Sequence, residues 1–435
     1  MKRYILTTAL LTVLLTQNAC REEYLNPSIA TEQQVVNSTD GLITLANGLA
    51  YRYTFGRLGV IYNAVAAGGL TTREFRVLNA GNTDELNLEL GFQNVTGGNA
   101  VVRNLWATSQ IVRANADVIL ANASRVIQDP GTRSGVVAYA SIYKALALGT
   151  LAQFFEQTPI VTGTNAPFVP RAQALQQAIS QLEAAATLVA TTAPSAAFNQ
   201  AIAPGIDIPN TLQALIARYA LFAGDYDKAI AAAGRVDLTR RSFFSFDDNT
   251  RNPVFETAFS NVNVFAPQNA TLGLTGELAP NPADRRLAFY LRSNPTGSQN
   301  LGTGFYTANN APIPVYLPGE MLLIRAEAYA RKGDLANAVT ELNKVLTKTT
   351  DAWGLGAGLP AYSGPQTAQA ILTEIYRNRL IELAFQGFRL EDSRRFGRPG
   401  PGTTPATNAE RTRNFLPYPF TERDNNTSTP PDPAN

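Results

Sequence analysis

The stretch Ala217-Arg-Tyr-Ala-Leu-Phe-Ala-Gly-Asp-Tyr-Asp-Lys-Ala229 decides the fold, because its pattern recurs as Ala326-Glu-Ala-Tyr-Ala-Arg-Lys-Gly-Asp-Leu-Ala-Asn-Ala338. In both copies alanine stands seven residues before a Gly-Asp pair's glycine and five after it. Glycine can end a helix in the left-handed conformation, and small residues let two helices approach closely. The pattern predicts helical hairpins of the tetratricopeptide type. The copies are far apart, so we expect no regular solenoid, and two unrelated hairpins are the alternative.

Apolar residues at helical spacing predict further helices outside the hairpins. These further helices are predicted at residues 39–53, 105–127, 135–155, 172–189 and 367–390. Residues 56–100, rich in Gly, Asn and Thr, and residues 240–316, punctuated by proline, break this periodicity. We therefore predict a mainly α fold, in which helical repeats at about 105–235 and 317–397 form a scaffold. An irregular, loop-rich lobe at about 56–100 and 240–316 carries a few short strands, and residues 39–435 form a single domain.

The N-terminus has the pattern of a bacterial export signal. Lys2 and Arg3 precede an apolar run over residues 5–15, which is too short to span a bilayer. Cys20, the single cysteine, stands where lipoproteins are acylated, so we predict a signal peptide at 1–19 and a lipidated tether at 20–38. Acyl chains contribute about 0.8 kcal/mol per buried CH₂ and would hold the domain at a membrane surface. An ordinary cleaved signal with an incidental cysteine is the alternative.

Composition excludes several functional classes. The chain has no histidine, which removes Ser-His-Asp catalysis and His-ligated zinc. Its 36 basic and 34 acidic residues form no basic stripe, so nucleic acid is not an expected partner. No apolar segment after the signal is long enough for a transmembrane helix. We expect no metal and no cofactor.

The stretch Ile375-Tyr-Arg-Asn-Arg-Leu-Ile-Glu-Leu-Ala-Phe-Gln-Gly-Phe-Arg-Leu-Glu-Asp-Ser-Arg-Arg-Phe-Gly397 resembles the signature of SusD/RagB-type proteins, the surface nutrient-binding lipoproteins of Bacteroidetes. Asn281-Pro-Ala-Asp-Arg-Arg286 and Phe415-Leu-Pro-Tyr-Pro-Phe-Thr-Glu422 resemble two further motifs of that family, in the same order. Together with Cys20 and the hairpins, the resemblance covers essentially the whole chain.

The charged residues of the 375–397 stretch suggest a structural network more strongly than a catalytic pair. Glu382 lies one turn from Arg379, and Glu391 one turn from Arg395, which suits ion pairs along a helix. A glycoside hydrolase would need two carboxylates facing each other across an open cleft. We therefore expect that the protein is not an enzyme. Trp106, at helical spacing with apolar neighbours, is predicted to be a core residue.

The resemblance implies a ligand surface built from the loops, with aromatic rings stacking on sugars and polar side chains binding hydroxyl groups. The alternative for each candidate is an ordinary loop side chain. The candidates are Arg73, Phe75, Arg76, Asn79, Asn82, Asp84 and Phe92 from the first region, Phe265, Asn269, Tyr290, Tyr306 and Asn309 from the second, and Trp353 from a later Gly-rich loop.

The resemblance also implies a partner and a location. Proteins of this type sit on the outer membrane, facing the cell exterior, and deliver an oligosaccharide or peptide to a SusC-type TonB-dependent transporter. The helical repeats would dock on that transporter. The alternative function, from a different class, is a helical-repeat adaptor of the cell envelope that binds no small ligand.

Overall fold

The structure is a computed structural model, and it describes residues 35–260, 264–293, 301–401 and 409–434. The predicted signal peptide at 1–19, Cys20 and most of the predicted tether at 20–38 lie outside the described residues.

Helices dominate the described residues, and the predicted fold class is confirmed. The α-helices are α1 (Thr39–Thr54), α2 (Val60–Leu70), α3 (Thr83–Leu90), α4 (Ala100–Val126), α5 (Pro130–Phe154), α6 (Arg171–Thr191), α7 (Ala196–Ala201), α8 (Ile208–Ala223), α9 (Tyr226–Ala233), α10 (Arg285–Tyr290), α11 (Pro318–Arg331), α12 (Leu335–Leu346), α13 (Ala368–Glu382), α14 (Arg389–Arg395) and α15 (Phe420–Asn425). The strands of the described residues are short: β1 (Phe75–Val77), β2 (Gln157–Pro159), β3 (Phe168–Pro170), β4 (Phe243–Phe244), β5 (Phe265–Pro267) and β6 (Ile313–Pro314).

Both Gly-Asp pairs form the predicted helical hairpins. Gly224 (φ +80°) and Gly333 (φ +83°) adopt the left-handed conformation after α8 and α11. Asp225 and Asp334 then cap α9 and α12, since each side chain accepts a hydrogen bond from the backbone N–H three residues later. The alanines that flank the turns are fully buried between the helices: Ala217, Ala229, Ala326 and Ala338.

The helices stack side by side in one array. Contacts run from α4 to α5, α6, α8 and α9 in turn, and then from α9 to α11, α12 and α13. The contact between α9 and α11 makes the two hairpins neighbours in space, although residues 240–316 separate them in sequence. Residues 240–316 lie outside the array. They account for the separation of the two hairpins along the sequence.

Helix α5 lies at the centre of this array. It is the described helix that is long and apolar enough to cross a membrane by composition, yet 94% of its most apolar window is buried inside the protein. The expectation that no later segment has the necessary length is therefore wrong for residues 130–154. Its burial beneath α4, α6 and α8 identifies it as a core helix.

The prediction of a long loop over residues 56–100 is also wrong, because α2 and α3 lie within it. All but one residue of α2 are buried, so it lacks the polar face on which helical periodicity depends. Gly68 brings α2 against the backbone of Gly387, where a Cβ atom would stand 2.4 Å from the carbonyl oxygen. A Gly-Gly pair in this helix therefore serves close packing rather than a turn.

The described strands form three antiparallel ribbons, of which two lie in the lobe and one, β2–β3, lies in the helical scaffold between α5 and α6. Strand β1 pairs with β5, β2 with β3, and β4 with β6. The β1–β5 ribbon joins the first irregular region of the chain to the second, with Arg76 opposite Ala266. The two parts of the predicted lobe thus meet in space.

A buried ion network links the second hairpin to the 375–397 stretch. Glu327 of α11 accepts two hydrogen bonds of 2.8 Å from Arg395, and Asp392 accepts two of 2.9 Å from Arg379. All four side chains are at least 92% buried. Burial alone would raise the pKa of Glu327, but Arg395, Arg379 and Arg331 outweigh burial and lower the pKa to about 2.

The expected structural network is therefore present, but its pairs differ from those along one helix. Glu382 binds Arg286 at 3.0 Å and also Lys348, instead of Arg379. Glu391 binds Arg171 at 2.7 Å and also Arg394, instead of Arg395. Arg394 lies one turn from Glu391 on α14, whereas Arg286, Lys348 and Arg171 come from distant parts of the sequence. Trp106 is a core residue, as predicted, and its Nε1 donates to Glu422 at 3.0 Å.

We predict that Glu327→Gln lowers the free energy of unfolding by about 3 kcal/mol at pH 7, because it leaves buried guanidinium groups without their counter-ion. Since the folded-state pKa of Glu327 lies below its ordinary value of 4.5, its contribution is complete above pH 4.5 and is lost as the pH falls through about 2. In urea denaturation, the difference in the free energy of unfolding between the variant and wild type should therefore decrease as the pH falls from 4.5 to about 2.

Glu183→Gln is the matched control. Glu183 pairs with Lys228 at 2.7 Å, but 43% of its side chain is exposed, so its loss should cost less than about 1 kcal/mol. If both variants lose the same free energy of unfolding, the result contradicts the role given to Glu327.

Candidate ligand-binding site

The β1–β5 ribbon forms a polar surface that we call the platform, comprising residues 73–79 and 264–273. Backbone bonds extend the pairing at both ends: Leu78 donates to Val264 at 2.9 Å and Gln268 donates to Glu74 at 2.8 Å. Asn269 follows directly, so it lies beside Arg73 at one end of the ribbon, with Arg76 in the middle and Asn79 at the other end.

Two buried side chains hold the platform on the protein core. Glu74 is fully buried, and its Oε1 accepts from the backbone N–H of Phe385 at 3.0 Å. Burial raises the pKa of Glu74, against a smaller lowering by Arg389. Arg389 of α14 donates to the carbonyl oxygen of Leu272 at 2.7 Å. Both strands are thereby tied to the 375–397 stretch.

The exposed polar groups of the platform are mainly hydrogen-bond donors. The side-chain oxygen of Asn269 accepts three bonds, from Thr271 N, Thr271 Oγ1 and Gly273 N, at 2.8–2.9 Å, which leaves its Nδ2 for a ligand. Asn79 is fixed similarly, with its Oδ1 accepting from Gly81 at 2.9 Å. Arg73 donates to the carbonyl oxygen of Ala409, whereas the guanidinium group of Arg76 makes no hydrogen bond or ion pair with a described residue.

Three other candidates from the first region have structural roles. Asn82 donates to the carbonyl oxygen of Asn79 at 3.3 Å in the turn before α3. Asp84 accepts from the N–H of Ala100 at 3.0 Å and so fastens α3 to the start of α4. Phe92 (φ +48°) lies half-buried against the C-terminal segment, where its carbonyl oxygen accepts from Arg413 at 2.6 Å.

Four aromatic candidates are core residues, so we no longer assign them to a ligand surface. Phe75 and Phe265 are fully buried and pack against each other with ring centroids 4.7 Å apart. The hydroxyl groups of Tyr290 and Tyr306 are buried and donate to the carbonyl oxygens of Glu382 and Phe385, both at 2.7 Å. Their rings pack the lobe onto the 375–397 stretch.

The last two candidates lie apart from the platform. Asn309 uses its carbonyl oxygen to accept from the N–H of Asn252 at 2.7 Å. Trp353 is half-buried, and the guanidinium group of Arg241 stands 4.0 Å from the centre of its ring. The ring also packs edge-on against Phe305. The structure therefore places Arg73, Arg76, Asn79 and Asn269 along the platform, with Phe75 and Phe265 buried within it, and the other candidates elsewhere.

A second concave surface, which we call the aromatic cleft, was missed in the sequence. It has a volume of about 390 Å³ and lies between α1, α5, residues 203–206 and residues 243–250. The rings of Tyr51, Phe243 and Phe246 line it. The pairing of Tyr51 with Phe55 four residues later, on an exposed helix face, was a usable signal, because buried faces normally receive the aromatic residues.

Within the described residues, the platform offers hydrogen-bonding groups and no pair of exposed carboxylates that face each other. Within the described part of the chain, no group of three or more Asp, Glu, His or Cys side chains could hold a metal ion. The carboxylates of the 375–397 stretch are buried in ion pairs, as described above. The exposed groups of the platform are amides and guanidinium groups, which donate hydrogen bonds to hydroxyl or carboxylate oxygens.

A sequence profile of the SusD family matches residues 251–433. No curated protein matches the chain significantly. Among solved structures, a SusD-like carbohydrate binding protein from Bacteroides vulgatus is 16% identical, with a TM-score of 0.71, over 90% of this chain and 97% of that one. A SusD superfamily protein from Bacteroides thetaiotaomicron is 16% identical, with a TM-score of 0.70, over 91% of this chain and 100% of that one. These similarities show that the folds are shared.

We predict that Gly273→Ala disrupts the platform. Gly273 adopts φ +73°, and an added Cβ atom would stand 2.3 Å from the carbonyl oxygen of Arg73. The variant should lose about 1 kcal/mol from the left-handed backbone and about 2 kcal/mol more from the clash, measured by urea denaturation.

Gly276→Ala separates these two effects. Gly276 has a comparable φ of +58°, but an added Cβ atom there would meet no other atom within 4 Å. It should therefore lose only the backbone contribution. If both variants lose the same stability, contact with Arg73 does not hold the platform in place.

Proposed function

We propose that the chain is a SusD/RagB-type protein, on the basis of the profile match over residues 251–433 and the shared fold. On this proposal it is a cell-surface lipoprotein that binds a nutrient oligosaccharide. It would pass this ligand to a TonB-dependent transporter in the outer membrane. The binding surface would be the platform, and the protein would leave the ligand chemically unchanged.

The observation that carries this proposal is the set of side-chain donors along the β1–β5 ribbon at Arg73, Arg76, Asn79 and Asn269. Two of the amides are oriented by their own backbone before any ligand arrives. Such preorganisation lowers the entropy cost of binding. Sugars present many hydroxyl oxygens that accept hydrogen bonds, so a surface rich in donors suits them.

The choice of an oligosaccharide over a peptide draws on the relatives. The similar protein from Bacteroides vulgatus is described as carbohydrate binding, and this chain covers 97% of its length. On the outer edge of β1, the N–H of Val77 already donates to Glu89 at 2.6 Å, and on the outer edge of β5, Pro267 has no N–H to donate. A peptide that adds as a strand would need an unpaired edge.

The partner and the location follow from the family. The stacked helices from α4 to α13 would provide the face that docks on the transporter barrel. Cys20 would carry the lipid anchor on the exterior of the outer membrane, and residues 20–38 would act as the tether to the domain.

Binding without turnover is tested with the full-length lipoprotein and a panel of maltohexaose, cellohexaose, xylohexaose and mannohexaose. We expect calorimetry to show binding to at least one of these glycans, with no release of reducing sugar. Arg76→Ala and Asn269→Asp should each weaken binding about tenfold, because each removes one or more donors. Asn269→Asp keeps the oxygen that accepts the three internal bonds.

Arg103→Ala is the control, since Arg103 is another exposed arginine, located on α4. It should bind the same glycan with unchanged affinity. If the platform variants and the control behave alike, the platform is not the binding surface. If no glycan binds while a large β-barrel protein co-purifies, the adaptor function replaces this proposal.

The anchor is tested separately. We predict that Cys20→Ala releases the protein from the membrane fraction, because the acyl chains account for its attachment. Membrane fractionation and mass spectrometry of the N-terminal peptide measure this. A variant that stays with the membrane in the absence of the transporter would contradict lipid anchoring.

A further inference from the structure

We propose that the aromatic cleft is a second carbohydrate subsite, in which one or two neutral pyranose rings stack on Tyr51, Phe243 and Phe246. It shares no residue with the platform. The class of ligand rests on the proposed function, whereas the location rests on the geometry of the cleft. A chain of several sugar rings could occupy either site or both.

The walls of the cleft are cross-linked by hydrogen bonds. The side chain of Asn47 on α1 donates to Ala201 at 2.9 Å and accepts from Ala203 at 2.7 Å. Ser245 donates to the carbonyl oxygen of Pro204 at 2.9 Å, and Phe243 donates to that of Gly205 at 2.9 Å. These bonds fix three walls relative to one another, so the cleft is formed before a ligand binds.

Aromatic rings supply the stacking surface. Tyr51 is 47% exposed, and its ring stacks on that of Phe55 with centroids 4.5 Å apart and planes 21° apart. Phe243 and Phe246 are half-buried on another wall. An exposed pair of stacked rings keeps a large apolar face in water, which favours a ligand that covers it. A pyranose ring has such a face, formed by its axial C–H groups.

The cleft is also lined by a polar group that lacks a hydrogen-bond partner within the described residues. Tyr139 is 99% buried and lines the cleft, and its hydroxyl group makes no hydrogen bond of acceptable geometry to a described residue. Burial raises the pKa of Tyr139 to about 12, against a smaller lowering by the neighbouring hydroxyl of Tyr143, so the phenol stays neutral. A buried hydroxyl without a partner is destabilising, and a hydrogen bond to a ligand hydroxyl group would remove that cost.

Asp247 supplies a fixed acceptor at the rim. Its Oδ1 accepts from Asn249 N, Thr250 N and Thr250 Oγ1 at 2.6–2.9 Å, and the described residues give its Oδ2 no hydrogen bond. These bonds lower the pKa of Asp247, so the group is ionised at neutral pH. Among the described residues that line the cleft, Asp247 is the one that carries a charge, so anionic ligands are disfavoured and neutral hydroxyl donors are favoured.

The test uses the full-length lipoprotein and the same hexasaccharides. Tyr51→Ala and Asp247→Asn should each weaken binding about tenfold. Tyr139→Phe should weaken binding several-fold while leaving the melting temperature unchanged or higher, because it removes an unpaired buried hydroxyl. Phe420→Ala is the control, since Phe420 is 52% exposed and lies outside the cleft. It should bind normally.

Hydroxyl-radical footprinting locates the ligand directly. The bound hexasaccharide should lower oxidation of Tyr51 and Phe246 at least threefold, with Phe420 unchanged, in both wild type and Arg76→Ala. If a hexasaccharide binds and only platform variants weaken it, the cleft proposal is wrong and the proposed function stands. If the cleft variants alone weaken binding, the cleft is supported as a binding site and the platform is not the binding surface. If none of the hexasaccharides binds, both proposals are wrong, and protection of Tyr51 by the peptide Lys-Phe-Lys would assign the cleft to peptides.

Discussion

The rest of the structure depends on the burial of Glu327 and Asp392 together with Arg379 and Arg395. None of these charges could remain in the core alone, because desolvation of an unpaired ion costs several kcal/mol. Each carboxylate therefore requires the two-bond geometry that its arginine provides. This requirement fixes α11 of the second hairpin against α13 and α14 with little freedom in register.

The same stretch of chain then carries that constraint to the lobe. Between α13 and α14, Phe385 (φ +65°) and Gly387 (φ +81°) form a turn that packs against α2 at Gly68. The N–H of Phe385 holds Glu74 under β1, and Arg389 holds the turn after β5. The most recognisable residues of the family signature thus act as a clamp beneath the platform. They fix the position of the proposed binding surface.

The fold was largely predictable where local signals are strong. Gly224 and Gly333 end their helices in the conformation that only glycine adopts freely, and the buried faces of α4 and α5 follow the expected spacing. The missed helix α2 has few polar residues on any face, so periodicity had nothing to detect. Among the candidate site residues, Arg76 and Asn269 come from different loops of the sequence and lie on the same ribbon, and their role in binding stays a prediction. The aromatic candidates failed because an aromatic residue in an irregular segment is compatible with both core and surface.

The sequence by itself determined the helical hairpins, the mainly α fold and the resemblance to the SusD/RagB family, because alanine spacing, Gly-Asp turns and an ordered set of motifs are local properties of the chain. Only the tertiary structure decided which carboxylate pairs with which arginine and which loop side chains face water. It also decided that the cleft exists, since its walls come from residues near 50, 140, 205 and 245. Such pairings depend on how distant segments are brought together by the burial of apolar surface, and a linear pattern does not specify that geometry.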